Sequence, residues 1–361
     1  FLSQHIGDME NLETLEHFEA SIALYQHLFR VEPQAVAYDL HPDYLSTKYA
    51  AQGRPNATRV PIQHHEAHIA ACLADNGWPA DGGPVIGVAW DGTGYGLDGR
   101  IWGGEFFVGG YHGFRRAAHL EYLPMPGGDA AIRNPWRLAL GYLYALTGRM
   151  GPLPAAGAHP LASIGQQERR IVGQQVDRQL NAPLTSAAGR LFDAVAALIG
   201  VREQVSYEAQ AAIELEMLAT QWAPGLRPDD EPPPAYPFDV EKDGGKASIG
   251  LRRLLEAILA ELAAGSSQGE IAWRFHQTMA ELLAAVCQRL AGETGLGTVA
   301  LSGGCFQNRL LLSLATARLE KAGFRVLLHR QVPCNDGCLS LGQAVLAHFA
   351  LDGTNGHEVH G

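Results

Sequence analysis

Residues 84–111 constrain the fold more than any other stretch. Residues 84–90 and 101–110 are apolar runs of strand length, and 91–100 between them is rich in glycine. Two such runs joined by glycines predict a β-hairpin with a long tip rather than a strand–turn–helix unit. The hairpin is flanked by alternating helix and strand. In 10–30, Leu15, Phe18, Ile22, Tyr25 and Leu28/Phe29 recur at helical spacing, and Pro33 ends that helix. A short buried strand follows at 34–39, a helix at 44–52 closed by Gly53, a strand at 60–63, and a helix at 65–76 stopped by Gly77. Beyond the hairpin, helices are expected at 137–147, 186–199, 210–221, 251–264 and 268–291. The proline-bearing stretch 222–250 reads as a surface excursion ending in a small hairpin. Strand 298–301 leads into Ser302-Gly303-Gly304, then helix 308–322, strand 325–329, helix 340–351 and a polar tail that reads as disordered. Alternation of this kind means α/β layering.

Composition narrows the function classes. The chain has 361 residues, 47% hydrophobic and 18% charged, as in a well-packed soluble globule of one large domain or two lobes. No run approaches the ~18 apolar residues of a membrane span. The start, Phe1-Leu2-Ser3, carries no export signal and no initiator Met, which suggests a cytoplasmic fragment or processed chain. A net charge of −11 argues against a nucleic-acid partner, because phosphate neutralisation demands a basic footprint. The five cysteines form no Cys-x-x-Cys pair and read as reduced, hence cytoplasmic.

The sharpest local motif is His64-His65-Glu66-Ala67-His68, directly after a predicted strand. On a helix, His64 and His68 share one face, and two imidazoles so spaced can bind one divalent metal ion. The same residues can equally cap and pack a polar helix start. A two-histidine site wants a carboxylate as third ligand, and Asp336 in Asn335-Asp336-Gly337 is the best candidate. That tripeptide also suits an ordinary Asp-capped turn. Asp91-Gly92-Thr93-Gly94 offers backbone amides to a phosphate, with Asp91 able to hold a cation or position a nucleophile. It also suits a plain hairpin tip. Ser302-Gly303-Gly304 lets a flat or anionic ligand sit over the helix that follows. Cys334 and Cys338 read as free thiols, and Cys305 as a buried apolar residue.

Taken together, these motifs resemble the carboxy-terminal part of the HypF family of [NiFe]-hydrogenase maturation carbamoyltransferases. The resemblance rests on Ser3-Gln4-His5-Ile6-Gly7-Asp8, the histidine motif, Asp91–Gly96, and Pro126-Gly127-Gly128-Asp129-Ala130-Ala131-Ile132-Arg133. It continues through 185–193, Tyr207-Glu208-Ala209-Gln210, Ser302-Gly303-Gly304 and Asn335-Asp336-Gly337, end to end and in order. It implies a two-lobed, actin-like ATPase fold of paired RNase H-like subdomains, similar to threonylcarbamoyl-tRNA transferases. The expected division is an N-terminal lobe over 1–120, a C-terminal lobe over 121–345 and a helix end with tail over 346–361. The family's first strand pair is expected to precede residue 1.

By the same resemblance, His64, His68 and Asp336 bind iron or zinc, and Mg is a further candidate. Asp91, Gly92, Thr93 and Gly94 form the phosphate loop, and Gly303 and Gly304 the adenosine loop. Asp193 contacts the ribose, and Glu208 and Asn308 line the nucleoside pocket. His65 either takes a thiol proton or only packs. Arg133 and Arg137 either contact phosphate groups or form surface ion pairs. The implied reaction transfers the carbamoyl group of carbamoyladenylate, made from ATP and carbamoyl phosphate by upstream HypF domains. The acceptor is the C-terminal cysteine of HypE, and AMP is released. The competing readings are an O-carbamoyltransferase of natural-product biosynthesis, a tRNA threonylcarbamoyl transferase, and a nucleotide-gated HypE-docking module.

Overall fold

The computed structural model describes residues 1–7, 9, 11–52, 57–148, 160–222 and 233–355. The expected disordered tail over 356–361 and the start of the proline-bearing excursion, 223–232, lie outside the described residues. The first part of the chain runs α1 (Leu12–Phe29), β1 (Ala35–Asp39), α2 (Leu45–Gln52), β2 (Thr58–Ile62) and α3 (His64–Asp75). β1 and β2 pair in parallel, from Ala35 opposite Thr58 to Asp39 opposite Ile62. Two parallel strands do not stand alone in water. These are covered by α3 and by the last helix of the chain.

Then come β3 (Val85–Tyr95), β4 (Ile101–Gly110), β5 (Gly113–Leu120), β6 (Leu123–Pro124), α4 (Asp129–Arg133), α5 (Trp136–Thr147) and α6 (Gln166–Arg178). They are followed by β7 (Leu184–Thr185), α7 (Ala188–Leu198), α8 (Gln210–Trp222), β8 (Asp239–Asp243), β9 (Lys246–Gly250) and α9 (Arg252–Ala264). Last are α10 (Gln268–Thr294), β10 (Thr298–Ser302), α11 (Arg309–Lys321), β11 (Arg325–Leu327) and α12 (Leu339–Asn355). A nine-stranded mixed sheet has the order β11-β10-β3-β4-β5-β9-β8, with β6 and β7 attached through β4. Strands before and after residue 120 thus share one sheet, and α12 runs through residue 346 without a break.

The hairpin departs from the sequence expectation. β3 does not stop at Trp90: it continues to Tyr95, so Gly92, Thr93 and Gly94 lie inside a strand rather than in a tip. Trp90 pairs with Gly104 and Gly94 with Trp102, so three residues of β3 face one of β4 in a wide bulge. The actual turn is short, closed by the Gly96 amide donating to the Arg100 carbonyl at 2.9 Å. β5 and α6 carry no apolar pattern of their own and were not expected. Arg116 of β5 nevertheless lies inside, its Nε 2.5 Å from the buried Glu105 carboxylate and its guanidinium 3.9 Å above the Trp102 ring.

Parallel pairing of β10 with β3 sets Ser302 opposite Ala89. The residues just beyond these two strands therefore emerge side by side at the crevice where open α/β sheets bind ligands. Trp90, fully buried, stacks on Phe306 with ring centroids 5.9 Å apart. A buried aromatic of this size contributes on the order of 2–3 kcal/mol and ties the two chain segments together.

Candidate functional site

Gln63, at the end of β2, caps α3 by accepting from the His65 and Glu66 amides at 2.7 and 3.0 Å. That cap starts the helix at His64, which sets His64 and His68 on one face, one turn apart. Both rings are essentially inaccessible to solvent. Their orientation is fixed from behind. Nδ1 of His64 is 2.8 Å from Oδ2 of Asp39, the last residue of β1. Nδ1 of His68 lies 3.4 Å from both Ser302 Oγ and Cys338 Sγ, and Ser302 is held in turn by His329 Nε2 at 2.8 Å.

With the Nδ1 atoms occupied, the two Nε2 atoms face a common space and find carboxylates there. His68 Nε2 is 2.9 Å from Asp91 Oδ2 and 3.5 Å from Asp336 Oδ1; His64 Nε2 is 3.7 Å from each. The three residues expected to act as ligands are thus brought together, and Asp91 joins them. Donor atoms of all four lie within 4.8 Å of one another. His64 Nε2, His68 Nε2 and Asp91 Oδ2 are buried and make no hydrogen bond, since even the 2.9 Å approach lacks the geometry for one. Orphaned buried polar atoms are costly. Converging donors of mixed imidazole and carboxylate type fit a divalent cation with bonds of ~2.0–2.2 Å.

Electrostatics agree with that fit. Burial opposes charge on His64, but Asp39 and Asp91 outweigh it and push its pKa up to about 9. Burial likewise opposes charge on His68, yet Asp336, Asp91 and Cys338 raise its pKa well above the usual imidazole range. Against the same penalty, His64 and His68 hold the Asp91 carboxyl well below the usual carboxylate range. Positive charge is favoured at this point. His65 is different: burial, then His64, keeps it neutral, with Nδ1 3.1 Å from Gln63 Nε2. It packs directly on Gly94, where a Cβ would run into its ring, and its buried Nε2 makes no hydrogen bond among the described residues.

Asp91 also reaches the other way. Its Oδ1 accepts from the Gly92 amide at 2.7 Å and from the Gly304 amide at 3.3 Å. Gly303, at φ +106°, lies so close to the Trp90 carbonyl that a Cβ would overlap it, and its own amide donates to Cys334 O at 2.8 Å. The bulge of β3, the turn after β10 and the loop bearing Asp336 therefore meet at one carboxylate. The first turn of α7 packs on the bulge as well: Gly189 lies against Gly92, and Arg190 borders it. Arg190 is buried, its Nε makes no hydrogen bond, and a terminal nitrogen pairs with Asp193 at 2.8 Å. Asp193 sits with that arginine, and burial raises its pKa.

The other residues expected at the nucleoside have partners of their own. Asn308 caps α11, its Oδ1 accepting from Leu311 N at 2.8 Å while its Nδ2 faces His276 Nε2 at 2.9 Å. Glu208 is exposed just ahead of α8. Arg137 lies over Trp136 and beside Gly127. The five cysteines carry no disulfide. The sequence assigns no part to Asp39 or Arg190, and to Ser302 only a place in the glycine turn, not its position behind His68. An ionisable residue ending an apolar strand was a usable signal for Asp39; nothing local separates Arg190 from a surface arginine.

The HypF Kae1-like domain matches residues 1–75, and the carbamoyltransferase Kae1-like domain, second subdomain, matches residues 87–343. The chain belongs to the HypF family. Carbamoyltransferase HypF2 of Cupriavidus necator is 39% identical over 96% of this chain and 44% of its own length. A carbamoyltransferase HypF homolog of the same organism is 41% identical over 95% of this chain and 84% of its own. A crystal structure of full-length HypF in a phosphate- and nucleotide-bound form superposes with a TM-score of 0.87 at 38% identity. It covers 98% of this chain and 44% of that one. The chain thus spans less than half the length of full-length HypF, and its fold is the Kae1-like fold expected of the family. Among the described residues, no helix is long and apolar enough to cross a membrane.

Proposed function

We propose that this chain moves a carbamoyl group from carbamoyladenylate to the C-terminal cysteine of a HypE partner, in making the cyanide ligands of [NiFe]-hydrogenase. One observation carries the reading: Asp91 joins the histidine cluster to both glycine turns, so a nucleotide phosphate lying on those turns sits beside the cluster. In the reaction, the carbonyl carbon–oxygen bond of the mixed anhydride breaks and a carbon–sulfur bond forms. AMP leaves with the bridging oxygen, and the thiol proton passes to solvent.

The chain's contribution is mainly positional, because the anhydride is already activated. The Asp91–Gly94 bulge and the Gly303–Gly304 turn border the space the phosphate would take, and the Arg190 guanidinium, beside Gly92, supplies positive charge there. Asp193 restrains Arg190 and would be the group offered to the ribose. An iron or zinc ion held by His64, His68, Asp91 and Asp336 would supply Lewis-acid stabilisation of developing negative charge.

The test supplies synthetic carbamoyladenylate and HypE to the chain and follows the acceptor by mass spectrometry. A carbamoyl adduct on the terminal cysteine, absent in the Asp91→Ala variant, is expected. Tight nucleotide-dependent binding without an adduct would instead make the chain a docking module. Transfer to a sugar hydroxyl would make it an O-carbamoyltransferase.

A further inference from the structure

Three members of the cluster are buried, but the side chain of Asp336 is 66% exposed and stands on a loop. Water and chain entropy both work against holding such a residue as a ligand. Something must hold the loop, and the far end of α3 does. The carboxylate of Asp75, the last residue of that helix, receives three successive backbone amides. Arg330 N donates at 2.5 Å, Gln331 N at 3.0 and 3.2 Å to the two oxygens, and Val332 N at 3.5 Å. The Asp75 side chain is 2% exposed, and these bonds help hold its carboxyl below the usual range despite desolvation. Next to it, Asn76 Nδ2 donates to Leu328 O at 2.8 Å, and Cys72 Sγ contacts Leu327 O at 3.5 Å.

We infer that Asp75 is the positioning residue that makes Asp336 available to the cluster, so that one helix presents two ligands at its start and anchors the third at its end. The anchored stretch is the strap 328–332, and only Pro333–Asn335 separates it from Asp336. The strap also delivers His329, whose Nε2 meets Ser302 Oγ at 2.8 Å, and Ser302 backs His68. Asp75 does not approach the cluster itself. Its effect on metal binding must therefore pass through the loop, chiefly through Asp336. This inference rests on the metal reading proposed above.

A double-mutant cycle in the full chain tests it, with zinc(II) affinity measured by competition with a chromophoric chelator and no turnover required. Outer-sphere changes at metal sites typically cost ~10–100-fold in affinity. Asp75→Ala is expected to weaken zinc binding within that range when Asp336 is present, and by less than about twofold when Asp336 is already Ala. Asp75→Asn, which keeps one acceptor oxygen, should fall between. If Asp75→Ala destabilises the fold, detected by circular dichroism, the Asn variant completes the cycle. Unchanged affinity in the Asp75 variants, or losses that simply add to that of Asp336→Ala, would overturn the inference while leaving the metal reading intact. No effect from Asp336→Ala itself would sink the Asp336 assignment and this inference with it.

Discussion

Helices α1 and α3 are both amphipathic on paper, and the structure uses them in opposite ways. α1 has 18 residues and buries only Ser21, leaving Leu24 at 54% and Leu28 at 61% exposed. α3 has 12 residues and buries nine, including His64, His65 and His68. The helix read from its apolar spacing lies outside, and the one with three histidines lies inside. Helical spacing predicts that a helix forms; it does not say what the helix is for. Buried polar side chains need partners, so α3 can be placed where it is only because Asp39, Gln63, Ser302 and the cluster meet its imidazoles.

Changes on the two helices should differ by orders of magnitude in their effect on metal binding. His68→Ala removes a donor from the cluster and is expected to lower zinc affinity by more than the ~100-fold of an outer-sphere change, as read by chelator competition. Retained affinity would break the contrast. His276 on α10 sharpens it, being as deeply buried but with both ring nitrogens engaged, by Ala272 O at 2.7 Å and by Asn308. Burial lowers its pKa from 6.5 to about 4. Its folded-state pKa is below the unfolded value, so the unfolded chain binds more protons between the two. The stability is present above pH 6.5 and is lost as pH falls toward 4. From this group alone, on the order of 1 kcal/mol should disappear between pH 7 and 5.5 in urea denaturation, and His276→Gln should flatten that slope. The smallest effect belongs to α1: Leu28→Ser is expected to change stability by no more than about 0.5 kcal/mol and zinc affinity not at all. A large loss there would mean that α1 is structurally committed.

The α/β alternation, most helix positions and the grouping of His64, His68 and Asp336 were legible in the sequence. Each rests on a local period or on a motif with a known family resemblance. What was not legible depends on partners distant in the chain. β5 hides Arg116 inside because Glu105 answers it, and no pattern within 113–120 announces that. The extension of β3 through Asp91–Tyr95 was missed because glycine signals a turn, whereas here it admits a bulge and the His65 ring. Asp91 could be read as a phosphate-loop residue, a cation ligand or a group positioning a nucleophile, but nothing local joins it to His64 and His68. Its place beside the two imidazoles follows from β3 and α3 being packed together, which only the fold supplies.

The placement of α12 has a consequence for the order of events during synthesis. This helix lies on α3 so closely that a Cβ on Gly342 would overlap the Ala67 carbonyl. It also covers Leu346 against Ile62, Ala67 and Ala70. The histidines of α3 precede the nine-stranded sheet in the chain, whereas Asp336 and the covering helix follow it. Long-range closure of this kind is slow and comes late. A nascent chain therefore carries its two imidazoles uncovered while residues 76–335 are made, and Asp336, just ahead of α12, completes the cluster.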